Sequence, residues 1–293
     1  MSTMLLEPRE FRLLDGLRLN PRKSFGGKVR GERLTKKKGI SIEFADFREY
    51  AEGDDLRHLD WNVLARLDSP VMRTYRDEED LALYVLLDGS ASMGFGSPTK
   101  FEAAARLACA IGYIGLNGGD AVLPRILGRR EPNPTTLRGR ASYPRLAGWA
   151  TQPRDIDLAK NGLAASLRAF ASTGARVGVA VLLSDGLDPD AAAAVRILGG
   201  RGHEVLFLQI LSDVELDPDL EGDLRLLDSE TGKATEITAN SYAIKEYRRR
   251  LQEHNQSVVE AVRRVGGRYG LVRPDQPMED VLQNVLKREG WVK

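Results

Sequence analysis

The chain has one cysteine, Cys109, and three histidines, His58, His203 and His254, in 293 residues. A lone cysteine excludes an intramolecular disulfide and any cysteine-rich zinc site. The histidines stand far apart with no i,i+4 pair, so no histidine metal motif or histidine-based triad is encoded locally, and each is expected to be a surface or structural residue. No apolar run approaches the roughly 18–20 residues that cross a bilayer. Met1–Pro8 has neither the basic lead nor the apolar core of a secretory signal, so the expected address is the cytosol. Glycine-rich phosphate-binding and dinucleotide-binding patterns are missing as well. Net charge is only +1, with 42% hydrophobic residues, which excludes a chain disordered for want of apolar surface.

What charge there is falls in blocks. Arg22 to Lys38 carries eight basic residues and one acid, Glu32; Glu43 to Asp60 carries seven acids and two arginines, Arg48 and Arg57. Such neighbours either pair with one another or offer two faces to a partner. A short helix is expected over Glu10–Leu17, stopping before Asn20-Pro21.

From Leu81 strands and helices alternate. Leu81–Leu87, Val177–Leu183 and Val205–Ile210 are continuous apolar runs, the pattern of strands buried on both faces of a parallel sheet. Ala121–Leu127 contains Pro124 and is placed at a sheet edge. Helices are expected over Lys100–Leu116 with a small-residue face, Asp157–Ser172, Pro189–Leu198, Ser241–Val265 and Met278–Lys287. Leu224–Ile237, broken at Ser229–Lys233, reads as a hairpin, and Arg268–Val272 as a last strand. The expectation is an α/β fold with a doubly wound, mostly parallel sheet over residues 79–293. Residues 1–78 form a charged N-terminal segment, a small β-rich subdomain. Ligands of such sheets bind beyond the carboxyl ends of the strands.

Two of those ends carry chemistry. Asp88-Gly89-Ser90-Ala91-Ser92 follows the first core strand, and Ser184-Asp185-Gly186 follows the strongest one. A carboxylate and two hydroxyls on one loop, faced by a second carboxylate, are hard oxygen donors suited to Mg²⁺ or Mn²⁺. The same sequences are also common turns and helix caps.

Asp88-x-Ser90-x-Ser92 with Asp185 about ninety residues later resembles the metal-ion-dependent adhesion site of von Willebrand factor A-type domains. The preceding run, Glu43-Phe44-Ala45-Asp46-Phe47-Arg48-Glu49-Tyr50, Gly53-Asp54-Asp55-Leu56-Arg57 and Leu59-Asp60-Trp61, resembles the signature of the domain-of-unknown-function family numbered 58. So do the stretch Leu227–Gly232 and the Tyr247–His254 helix. The resemblance implies a von Willebrand A-like fold and a metal site of Asp88, Ser90, Ser92 and Asp185. It implies an interaction role without catalysis, in partnership with a MoxR-type AAA+ ATPase or its client, since genes for the two are often neighbours. In such domains a threonine completes the site; here Ile156 stands at that place, with Thr151, Asp155 and Asp157 nearby.

The charged signature admits two readings. Tyr50, Trp61, Phe44 and Phe47 could make a small core held by internal ion pairs. Alternatively Arg48, Arg57, Asp54 and Asp55 form a partner surface, the arginines gripping carboxylates bidentately. Two further functions compete with the adaptor role. Nucleic-acid binding through Arg22–Lys38 is opposed by the flanking acids. A metal-dependent hydrolase using Asp88 and Asp185 lacks an obvious general base in the flanking loops.

Overall fold

The computed structural model describes residues 5–23, 25, 43–51, 59–67, 70–76, 80–128, 135–152 and 162–293. The chain divides into two compact units, one of Lys23–Asp80 and one of Met1–Arg22 with Leu81–Lys293. The residues before Lys23 belong with the larger unit. The reason is backbone pairing. After helix α1 (Pro8–Leu14), Leu19 bridges Val292 antiparallel, and Arg18 and Lys293 exchange N–H to carbonyl hydrogen bonds at 2.9 Å. The helix begins at Pro8, whose missing N–H is harmless at a first helical position, rather than at Glu10.

The smaller unit contains strand β1 (Glu43–Glu49), helix α2 (Trp61–Leu67) and strand β2 (Val71–Arg76), with β1 and β2 antiparallel. Asp60 Oδ1 accepts from Asn62 and Val63 N–H at 3.0 and 3.2 Å and so caps α2. Trp61, expected in a small core, is 60% exposed, because the first helical position after that cap turns it to solvent.

The larger unit is a mixed α/β body on five parallel strands: β3 (Ala82–Asp88), β4 (Ala121–Leu127), β5 (Val179–Ser184), β6 (Glu204–Ile210) and β9 (Arg268–Val272), in the order β4-β3-β5-β6-β9. Every residue of β3, β5 and β6 is buried, as strands covered on both faces must be. β4 lies at the edge, where Pro124 loses no ladder bond to a second neighbour.

Helices cover both faces. On one, α5 (Leu163–Ser172), α6 (Ala191–Gly200) and the far half of α8 (Ser241–Arg264) pack Leu167, Val195 and Val262 against Tyr84, Leu182 and Phe207. On the other lies α3 (Lys100–Asn117), capped by Thr99, whose hydroxyl accepts from Glu102 N–H while the Glu102 carboxylate accepts from Thr99 N–H. Its small-residue face allows close approach: a Cβ at Gly115 would stand 2.6 Å from Leu83 Cδ2, and one at Gly112 2.5 Å from Leu146 Cδ2.

Leu146 belongs to α4 (Tyr143–Ala150), which the apolar periodicity did not reveal, as it did not reveal the single turn α7 (Asp213–Leu216). Strands β7 (Gly222–Leu227) and β8 (Ala234–Ala239) form the expected hairpin. The last helix starts as α9 (Met278–Val281) and continues as π-helix through Leu282–Lys287. No helix among the described residues is long and apolar enough to cross a membrane.

Strand order positions the site. From β3 the chain crosses to β4 on one side, then returns to place β5 on the other, and β6 and β9 extend the sheet away from it. The strand order thus reverses between β3 and β5, and open α/β sheets hold their ligands beyond the carboxyl ends of the strands at such a reversal.

Candidate functional site

Asp88 ends β3 and Asp185 immediately follows β5, so the switch point brings the two carboxylates to one rim. Leu87 pairs with Leu183, which sets Asp88 beside Ser184. The Ser184 hydroxyl donates to Asp88 Oδ2 at 2.5 Å, and Ser90 N–H donates to Asp88 Oδ1 at 2.9 Å. The Ser90 and Ser92 hydroxyls lie 3.0 Å apart and share a hydrogen bond. Asp88, Ser90 and Ser92 are thus joined by hydrogen bonds on one loop, and Asp185 stands across from them at the end of the neighbouring strand. Asp88 and Asp185 are 5% and 3% exposed, whereas Ser90 and Ser92 are half-buried. Burial pushes the Asp88 carboxyl up to about 6, the Asp185 charge adds to the rise, and the bonds from Ser184 and Ser90 oppose it.

Other residues of the rim were not anticipated. Lys100, first residue of α3, donates its ammonium to Asp185 Oδ2 at 2.7 Å and to Glu215 Oε1 at 2.5 Å. Glu215 is preset by a capping box in α7: its Oε2 accepts from Ser212 N–H and Oγ, both at 2.8 Å. The β7–β8 hairpin tip reaches the same loop, where Ser92 N–H donates to Glu230 Oε1 at 2.8 Å. Asp228 accepts from Glu230 and Thr231 N–H, which shapes that tip and holds its carboxyl below the usual range. Behind the rim, Gln209 Nε2 donates to the Asp185 carbonyl at 2.7 Å, and His254 Nε2 donates to the Gly186 carbonyl at 2.6 Å. One signal for Glu215 was in the sequence, the Ser212-x-x-Glu215 capping pattern. Lys100 had only its odd placement at the positive end of a helix dipole.

The divalent ion implied by the resemblance can be tested against these contacts. Two hydroxyl oxygens 3.0 Å apart match adjacent corners of an octahedron with bonds of about 2.1 Å. The obstacle is Asp185, whose Oδ2 already holds the Lys100 ammonium at 2.7 Å. A doubly charged ion drawn to Asp185 would also stand beside that ammonium. Repulsion between the two about 5 Å apart is ~7 kcal/mol at an effective dielectric of about 20. The four side chains do not fit a divalent ion as one ligand set.

Ile156, Asp155 and Asp157 lie outside the described residues. The Thr151 hydroxyl is turned back on the carbonyls of Ala147 and Gly148 in α4, at 3.1 and 3.2 Å. Of the expected partner surface, Asp54, Asp55 and Arg57 lie outside the described residues, and Arg48 is described only in its backbone, paired with Met72. Most of Arg22–Lys38 is outside them too; Arg22 N–H donates to Glu204 Oε2 at 2.8 Å. Of the histidines, His203 is buried, accepting from Gly178 N–H at 3.3 Å.

Fold and rim together define an α/β protein on a parallel sheet with a polar site at the strand-order reversal. The chain belongs to the family described as protein of unknown function DUF58, which it matches over residues 46–257. It is 29% identical over 299 residues to uncharacterized protein Rv1480 of Mycobacterium tuberculosis, covering 96% of this chain and 90% of that protein. Uncharacterized protein MAV169 of Mycobacterium avium is 32% identical over 143 residues, covering 47% of this chain and 83% of that one. Among solved structures, the conserved hypothetical protein BatB of Bacteroides thetaiotaomicron superposes with a TM-score of 0.40 at 14% identity, over 71% of this chain and 96% of its own. An aerotolerance-related membrane protein of Bacteroides fragilis gives 0.41 at 16%, over 71% and 98%.

Proposed function

We propose that this protein is a non-enzymatic docking module of von Willebrand A-like type, which captures a protein partner at the β3–β5 rim. The partner class is a MoxR-type AAA+ ATPase or a client of one, and the work is complex assembly or maturation in the cytosol. One observation carries the reading: Asp88, Ser90, Ser92 and Asp185, drawn from loops about ninety residues apart, stand at the carboxyl ends of the neighbouring strands β3 and β5, where parallel sheets hold ligands. The chemistry there suits gripping. The Ser184 hydroxyl is spent on Asp88, those of Ser90 and Ser92 on each other, and His254 Nε2 on a backbone carbonyl. Ser90, Ser92 and Glu230 form the half-buried side that a partner can reach.

The test is direct binding. A purified MoxR-type ATPase from the same genome is immobilised, and the wild type is compared with Ser92→Ala and Glu230→Ala variants. Capture by the wild type, weakened about tenfold or more by either change, is the expected result, since a lost interfacial anchor is worth about 1.4 kcal/mol or more. Equal capture by all three chains would remove the rim from the account.

A further inference from the structure

Lys100 occupies a position its own helix does not favour. It is the first residue of α3, directly after the Thr99 cap, and its side chain is 0% exposed. A cation there faces the positive end of the helix dipole, and a buried ammonium without partners is strongly disfavoured. What holds it comes from elsewhere in the chain. Asp185 at the end of β5 and Glu215 in α7 supply one oxygen each, at 2.7 and 2.5 Å. The Phe95 ring, centred 6.0 Å from Nζ, stands alongside. Both carboxylates are preset without the lysine, Asp185 by Leu187 N–H and Glu215 by Ser212. The ammonium is delivered between two anchored anions.

We propose that Lys100 is a tethered replacement for a divalent cation: its ammonium gathers the β5 and α7 carboxylates at the rim, so the site assembles without dissolved metal. An ordinary buried ion pair matches one charge with one. Here a single ammonium serves two carboxylates, Asp185 and Glu215. Two carboxylates facing one centre are donor chemistry that hard divalent ions accept, with waters completing the shell. With the lysine removed, the same oxygens would surround a space bare of positive charge, and Mg²⁺ or Mn²⁺ could enter it. The inference concerns the rim on which the docking reading rests, and it adds that capture uses the Ser90, Ser92 and Glu230 side and needs no ion.

Thermal melts of the full chain and calorimetric titration with Mn²⁺ test it, on wild type, Lys100→Met and Lys100→Gln, each in chelator and in millimolar Mn²⁺. The wild type should melt within about 1 °C in both buffers, since a ligand that does not bind the folded state cannot stabilise it. Lys100→Met should melt several degrees lower in chelator, regain at least about half of that loss with Mn²⁺, and bind one ion. Lys100→Gln, which keeps a hydrogen bond to one carboxylate, carries the same titration where the methionine variant does not fold. Stabilisation of the wild type by Mn²⁺ overturns the proposal, because an ion then binds despite the lysine. Flat melts for wild type and variants alike overturn it too, because Lys100 is then a plain ion pair. These melts read Lys100 alone; loss of docking shows only in the capture assay.

Discussion

Replacing Asp88 by asparagine removes a buried charge while keeping the side chain's shape. Asparagine Oδ1 can still accept from Ser90 N–H, and its amide can donate to a Ser184 hydroxyl that turns round. What changes is proton linkage. The carboxyl rises from 3.8 to about 6 on folding, first because burial disfavours its charge, then because Asp185 is near. With the folded value above the unfolded one, the native state binds the proton more tightly between those pH values. Its contribution is therefore largest below about pH 4 and is lost as pH rises through 6. At 1.36 kcal/mol per pH unit the full loss is about 3 kcal/mol. Urea unfolding of wild type and Asp88→Asn in chelator, from about pH 4 to pH 7, isolates it by difference, because the other carboxylates titrate in both chains. The wild type should lose up to about 3 kcal/mol relative to the variant across that range. A difference that stays level, or grows in the wild type's favour with pH, would show that the Asp88 charge is fully compensated in the folded protein and refute the argument.

Arg268→Met should destabilise by about 3–5 kcal/mol in chemical denaturation, because it takes the guanidinium away from the buried Glu204 carboxylate and severs bonds to the carbonyls of Gly290 and Asn20. Adding Glu204→Met should return part of the loss. Gly115→Ala should lower stability by about 1–3 kcal/mol, since the new methyl would stand 2.6 Å from Leu83 Cδ2 and 3.1 Å from Val122 Cγ2. An unchanged melting temperature would mean that α3 can lift off the sheet freely. Cys109 is buried and its thiol is pushed up to about 12 by that burial, so thiol reagents at neutral pH should label it only as the protein unfolds. Fast labelling of the native chain would contradict the packing described for α3.

Much of the larger unit was legible because its strands are buried on both faces. Leu81–Leu87, Val177–Leu183 and Val205–Ile210 read as central strands since no solvent face interrupts them, and Pro124 marked the edge. Short helices were not legible. α7 is a single turn held by a cap, and α4 is too brief for its apolar spacing to stand out. The placing of Trp61 in a core failed for a related reason: an aromatic beside a cap is apolar in composition but free to face outward.

The sequence by itself determined where the rim would be, because Asp88 and Asp185 each directly end an apolar strand, and parallel strands present their carboxyl ends together. It also determined the hydroxyls of Ser90 and Ser92, which ride on the same loop as Asp88. Only the tertiary structure decided what those groups do with their charge. Lys100, Glu215, Ser184 and Glu230 reach partners 85, 115, 96 and 138 residues away in the chain. Contacts that long leave no period or spacing in a sequence, since they are set by strand order and by which helix lies over which strand. The Lys100 ammonium between Asp185 and Glu215 is visible only once the sheet has brought those carboxylates together.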